Sequence, residues 1–247
     1  MSENEGQKRV ALVTGGSRRV GRAIVERLAG AGFLVLFASR PRPGDTDDAA
    51  ANDVAEADGV FRIPADLIDP GPAAQRIHDD VARRAGRLDV LVNNASAYEP
   101  SGLHATSTEQ MSRLFAIHAQ APLLLCRAFE PMLRASRGHV VNMVDLLAER
   151  PWPEYLAYCA SKAALANLTL GLARALAPEV TVNGIAPGVV EWPEDYPRAE
   201  RERYLKRVPL GRAGSPQDVA NLVHFLVTEG SYITGQIIRL DGGRSIT

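Results

Sequence analysis

Cysteine is scarce in this chain: 247 residues hold two, Cys126 and Cys159. Two thiols cannot build a disulfide framework, and the expectation is a reducing, cytoplasmic setting. An excess of one charge is missing too. Lys and Arg number 28 against 29 Asp and Glu, for a net charge of −1. No global field therefore draws the chain to nucleic acid or to an anionic membrane. No unbroken run of 18 or more apolar residues offers a membrane span. The opening stretch MSENEGQKR is polar and lacks the apolar segment of a secretory signal. The five histidines, at 78, 104, 118, 139 and 224, show no metal-ligand spacing, and no metal is expected. Repeats, low-complexity tracts and Ser/Gly/Pro linkers are lacking as well. The expectation is one domain over 9–247 behind a polar tail at 1–8.

What is present is ordinary for a globular chain, 46% apolar and 23% charged. A chain this long buries roughly 70–75% of its unfolded surface without a staple. Short β-branched runs alternate with longer amphipathic ones. Strands are predicted at 9–14, 33–38, 60–64, 88–93, 139–144, 180–185 and 236–240. Helices are predicted at 19–31, 46–57, 72–85, 120–135, 155–177 and 216–228, the last capped by Ser215 with Pro216 in the first turn. The strand runs are nearly continuous in apolar residues, as expected where both faces are covered. The pattern predicts an α/β fold: a single-domain, Rossmann-type, doubly wound parallel sheet of about seven strands flanked by helices. Two irregular segments, about 94–106 and 188–212, follow strands at the carboxyl edge of the sheet and are predicted substrate loops.

The first strand ends in Thr14-Gly15-Gly16-Ser17-Arg18-Arg19-Val20-Gly21 and runs into a helix. Glycines here permit a tight turn and close approach of backbone N–H groups to a pyrophosphate, and the helix N-terminus adds its positive end. The second strand ends in Ser39-Arg40, with no acid for a ribose 2′-hydroxyl. Arg40, helped by Arg18, Arg19 and Arg22, favours a 2′-phosphate, hence NADP. Asp66, followed by Leu67, is a candidate partner for the adenine amino group. The fourth strand ends in Asn93-Asn94-Ala95-Ser96, and the fifth in Val144-Asp145. Tyr158 and Lys162, at i and i+4, share a helical face. An ammonium beside a phenol lowers its pKa, which makes Tyr158 a usable acid.

These motifs, with Asn183-Gly184-Ile185-Ala186-Pro187-Gly188 and the closing Asp241-Gly242-Gly243, resemble the short-chain dehydrogenase/reductase family over nearly the whole chain. The resemblance implies that Tyr158 donates a proton and that Lys162 tunes it and holds the nicotinamide ribose. It implies that Ile185 and the 187–189 stretch, Pro187, Gly188 and Val189, hold the carboxamide. It implies a homotetramer built on the fourth and fifth helices. Departures from the family pattern are as telling. Arg19 stands for a glycine, Ser96 for a glycine, His118 for the tetrad asparagine, and Asp145 for the catalytic serine. As a set they resemble the pteridine reductase and dihydromonapterin or dihydrofolate reductase branch. That branch implies a catalytic set of Asp145, Tyr158 and Lys162 and a pterin or folate substrate met by Arg19, Ser96, Tyr98, Asp145 and Tyr158; Trp192, in a loop placed to cover the ligand, is a further candidate, open between ligand contact and hydrophobic filling. It implies NADPH held by Gly15, Ser17, Arg18, Arg19, Val20 and Gly21, by Ser39, Arg40, Asp66 and Leu67, and by Asn94, Ala95, Ser96, Tyr158, Lys162 and 187–189. Two other readings stay open: a generic carbonyl reductase, and a catalytically silent NADP-binding sensor. Asp145 is open between proton donor and ligand acceptor. The cysteines are expected to be packed apolar residues.

Overall fold

Eight strands form one sheet in this computed structural model, which describes residues 8–43, 45, 55–192 and 196–247. In chain order the strands are β1 (Val10–Thr14), β2 (Leu34–Ser39), β3 (Ala55–Ala57), β4 (Val60–Pro64), β5 (Val90–Asn93), β6 (His139–Met143), β7 (Thr181–Pro187) and β8 (Ile237–Leu240). The helices are α1 (Arg19–Gly30), α2 (Pro70–Arg84), α3 (Thr108–Phe115), α4 (Ala121–Ser136), α5 (Leu156–Leu176), α6 (Arg198–Leu205) and α7 (Pro216–Thr228). Sheet order is β3-β4-β2-β1-β5-β6-β7-β8. Seven strands are parallel, as predicted, and β3 adds a short antiparallel edge on β4. The strand order reverses between β1 and β5, the place where open α/β sheets bind ligands.

Strand periodicity sorts the core into two layers. Leu12, Leu36, Ile63, Leu91, Val140 and Val182 face Ile77 of α2, Leu125, Phe129 and Leu133 of α4, and Leu172 and Leu176 of α5. Val13, Val35, Phe37, Val92, Val141 and Met143 face Ile24 and Leu28 of α1 and Val219, Val223 and Leu226 of α7. Neighbours in one strand point to opposite layers, so both faces must be apolar. Each fully buried Leu, Ile or Phe side chain contributes about 1.5–3 kcal/mol. The predicted cap of α7 is a reciprocal capping box. Ser215 Oγ accepts from Asp218 N at 3.1 Å, and Asp218 Oδ2 accepts from Ser215 N at 2.9 Å.

Three expectations are corrected. The helix predicted over 46–57 lies outside the described residues at 46–54, and Ala55–Ala57 is strand. The helix predicted over 120–135 is α4, but the stretch before it, for which no helix was predicted, is helical too. Ser107 caps α3 by accepting from Gln110 N, and a π-helical turn, Ala116–Gln120, joins α3 to α4. The 188–212 segment holds a helix, α6. Its residues are mostly charged and none is buried, so no apolar stripe marked it. α5 alone, among the described residues, is long and apolar enough to cross a membrane, although Asn, Ser, Thr and Lys interrupt it. Here it packs on the sheet, with Leu165, Leu172 and Leu176 in the core.

Candidate active site

The carboxyl ends of β1, β5, β6 and β7 converge on one mouth. The β1–α1 turn is shaped by sterics. Gly15 has φ +67°, and a Cβ there would stand 2.9 Å from Ala95 Cα. A Cβ on Gly21 would stand 2.1 Å from the Gly15 carbonyl oxygen. Only glycine fits either place. Asn94 ties the turn to β5: its Nδ2 donates to Thr14 O at 2.9 Å and to Gly15 O at 3.2 Å. Thr14 Oγ1 accepts from the N–H groups of Asn94 and Ala95. α1 begins without a side-chain cap and without an acid in its first turn. Its leading N–H groups and positive end are left for an anion at the mouth, where Ser17, Arg18 and Arg19 are exposed and Val20 is partly buried. Arg19 takes the glycine-like φ of 53° and pairs with Glu191 at 3.1 Å, from the loop after β7. Arg22 pairs instead with Glu26 on its own helix at 2.7 Å.

At the end of β2, Ser39 and Arg40 are organised by a residue that sequence reading missed. Arg62, buried on β4, donates to Ser39 Oγ at 2.7 Å, to Arg40 O at 2.9 Å, and to both oxygens of Asp45 at 2.8 Å. The guanidinium holds the Asp45 carboxyl down, to about 2. Arg40 is exposed and, among the described residues, has no carboxylate partner. Asp66 accepts from Ile68 N at 3.1 Å in a turn. The Leu67 side chain is in the core, so Leu67 offers a cofactor its backbone alone.

Asp145 and Tyr158 form the centre. The Tyr158 hydroxyl donates to Asp145 Oδ2 at 2.7 Å, and Leu147 N donates to Oδ1 at 2.8 Å. Burial pushes the Asp145 carboxyl up, against the opposing pull of Leu147 N–H, the Tyr158 hydroxyl and Lys162. Tyr158 is buried as well, and its phenol is raised well above 10 by burial and then by the Asp145 charge. This corrects the expectation that Lys162 lowers it. Lys162 Nζ lies 5.8 Å from the phenol ring centre and donates to Met143 O at 2.7 Å. Burial lowers the Lys162 ammonium to about 8, with Asp145 pulling the other way. Tyr98 makes an edge contact with Tyr158, ring centres 4.8 Å apart, and stacks on Tyr155 at 4.4 Å. Tyr155 was not singled out in sequence, although it sits one turn before Tyr158. Trp192 spends its ring on Tyr196 and Tyr204 of the 188–212 segment, at 4.9 and 5.3 Å. Tyr204 in turn accepts from Val189 N at 3.1 Å, beside Pro187 and Gly188. Both cysteines are free and buried.

A parallel sheet with an uncapped helix at a glycine turn, and a buried tyrosine–lysine pair at the same edge, defines a nucleotide-dependent oxidoreductase of the Rossmann class. The comparisons narrow this. A family model described as enoyl-(acyl carrier protein) reductase matches residues 15–245. The 3-oxoacyl-[acyl-carrier-protein] reductase FabG of Aquifex aeolicus is 32% identical over 96% of this chain and 97% of its own. Pteridine reductase 1 of Leishmania tarentolae is 34% identical over 96% of each chain. A dihydromonapterin reductase of Escherichia coli is 33% identical over 95% of this chain and 96% of its own. A solved structure of a blue fluorescent protein from a metagenomic library, in complex with NADPH, superposes with TM-score 0.85 at 32% identity, covering 97% of this chain and 98% of the other. The chain belongs to the short-chain dehydrogenase/reductase family.

Proposed function

We propose that this protein is an NADPH-dependent reductase of a pterin ring C=N bond, taking a dihydropterin or dihydrofolate to the tetrahydro form. One observation carries the reading: a buried carboxyl, Asp145, takes the hydroxyl of Tyr158 at 2.7 Å. Reducing a ring C=N requires a hydride at carbon and a proton at nitrogen. NADPH supplies the hydride when bound, and the glycine turn, the uncapped start of α1, Ser39, Arg40 and Arg18 suit its phosphates. The proton is this chain's task. Tyr158 alone, raised far above neutrality, is a reluctant donor. Asp145, its carboxyl raised by burial and hydrogen-bonded to the phenol, is placed to pass a proton to Tyr158 as Tyr158 gives its own to the ring nitrogen. The buried Lys162 ammonium balances the charge left on the pair. Tyr98, half exposed beside Tyr158, offers a flat ring a stacking face. The relatives include pterin reductases, which supports the same reading.

The FabG relative favours a carbonyl substrate instead. NADPH oxidation followed at its absorbance band separates the two. Dihydrobiopterin, dihydromonapterin and dihydrofolate should be turned over, and ketones weakly or not at all. Turnover of ketones alone refutes the proposal. Retained NADPH binding without turnover of any substrate points to a silent sensor. We also propose a homotetramer in a reducing, cytoplasmic setting. Leu123 of α4 and Leu170 of α5 are 42% and 45% exposed on outward faces, as a contact between copies would need. Sedimentation of a monomer refutes the assembly.

A further inference from the structure

His118 sits in the π-helical turn, 1% exposed. Its partners leave one arrangement of its protons. The Ala97 N–H donates to Nε2 at 3.2 Å, so Nε2 carries a lone pair. Nδ1 then carries the hydrogen and donates to Ser161 Oγ at 2.8 Å, and Ser161 donates onward to Tyr158 O at 2.7 Å. Burial keeps the ring neutral, lowering it to about 2, with the Lys162 charge adding to the effect. One further atom lies against Nε2: Ser96 Oγ, at 2.9 Å. A hydroxyl facing an imidazole lone pair turns its hydrogen toward it, here sharing that lone pair with the Ala97 N–H.

We propose that His118 is a positioning residue that fixes Ser96 as a hydrogen-bond acceptor toward the substrate. The Ser96 hydrogen is directed at Nε2, and the oxygen lone pairs face the mouth beside the Tyr158 hydroxyl, where Ser96 is exposed. Ser96 then presents an acceptor to whatever binds beside Tyr158. A ligand edge that carries an N–H group satisfies it. A bare ketone oxygen meets a lone pair at Ser96 and loses that partner, which discriminates by repulsion as well as by attraction. The substrate class this favours is an amino-substituted nitrogen heterocycle. This use of the contact rests on the pterin reading, whereas the proton arrangement does not.

Two measurements test it. In protein carrying ¹⁵N-histidine, with the His118 signals assigned by their loss in His118→Gln, the expected ring is protonated at Nδ1 and bare at Nε2. A ring protonated at Nε2 overturns the proposal. With dihydrobiopterin, His118→Leu and Ser96→Ala should each raise KM about tenfold while kcat changes little. The double variant should be no worse than Ser96→Ala, because both remove one contact. His118→Gln keeps an oxygen acceptor near the place of Nε2 and should recover most of the loss. Additive effects, or a fall in kcat with KM unchanged, overturn the proposal. If His118→Leu does not fold, His118→Gln and the ring spectrum decide. If the wild-type protein reduces no pterin, the proposed function fails, and the ring spectrum still decides the proton arrangement.

Discussion

Replacing Asp145 by Asn exchanges one carboxylate oxygen for an amide nitrogen and keeps the shape of the side chain. The side-chain oxygen stays on Leu147 N, where Oδ1 now accepts at 2.8 Å. The NH₂ group takes the place of Oδ2, 2.7 Å from the Tyr158 hydroxyl. An amide nitrogen only donates, so the hydrogen bond to Tyr158 reverses. The proton reserve proposed for Asp145 is gone. A positioned acid contributes roughly 10²–10⁴-fold to rate, or about 3–5 kcal/mol, and kcat for dihydropterin should fall by that range. NADPH affinity should stay within about twofold, since Asp145 is not at the phosphate turn. Stability should move the other way. The folded carboxyl has a raised pKa, so it binds more protons than the unfolded chain above pH 3.8. Wild-type stability therefore falls as pH rises from the unfolded value through the folded one. Asp145→Asn removes that loss. Its Tm should equal or exceed wild type at pH 7, and the advantage should vanish near pH 4. Calorimetry at the two pH values and NADPH oxidation at pH 7 read both effects. A variant that keeps turnover within about threefold refutes the proton role. A variant with a clearly lower Tm at pH 7 refutes the raised carboxyl, since the Asn oxygen still caps the short 3₁₀ turn Leu146–Ala148.

Lys162→Met tests the cost of the buried ammonium. A shift from 10.5 to about 8 corresponds to about 3 kcal/mol against folding at pH 7, partly offset by the Met143 carbonyl left without its donor. The variant should lose turnover yet melt no lower than wild type at pH 7, and wild type should catch up as pH climbs from about 8 towards 10.5. A Tm drop of more than about 5 °C contradicts this. Arg19→Gly relieves a left-handed backbone that costs a non-glycine residue roughly 1 kcal/mol. Melting should rise by about 2–4 °C while KM for NADPH increases several-fold, checked by calorimetry and steady-state kinetics. Arg62→Leu frees Ser39 Oγ and the Arg40 carbonyl and leaves Asp45 without its guanidinium partner at the end of β2. KM for NADPH should rise about tenfold with that for NADH little changed, and equal losses with both cofactors would show a general loosening of the loop.

The parallel sheet was legible because its strands are covered on both faces and so are written as unbroken apolar runs. The glycine turn and the Asp145–Tyr158–Lys162 set were legible because each sits at a fixed offset from a strand or along a helix. Other parts were not. Ala55–Ala57 is too short to show a period, and α3 and α6 carry too few buried residues for an apolar stripe. Arg62 reads as an interruption in a strand. Its role depends on Asp45 folding back over the end of β2, which is a tertiary fact. The sign of the Tyr158 shift was misread for a similar reason. Helical spacing puts Lys162 on the same face as Tyr158, but whether the ammonium or a carboxylate touches the phenol is decided by β6 and the turn after it.

The π-helical turn between α3 and α4 holds one residue more than an α-helix would. One residue is about 100° of rotation, so the two helices run out of phase on a common axis. Leu114 before the turn packs with Tyr158, while Leu125 after it packs on the sheet. Losing any one residue there would restore an unbroken α-helix, and one of those two faces would swing out of place. Chain length in this stretch is therefore fixed far more tightly than residue identity. A lineage that dropped the extra residue would have to give up the His118–Ser96 contact in the same step, so the two should be gained and lost together.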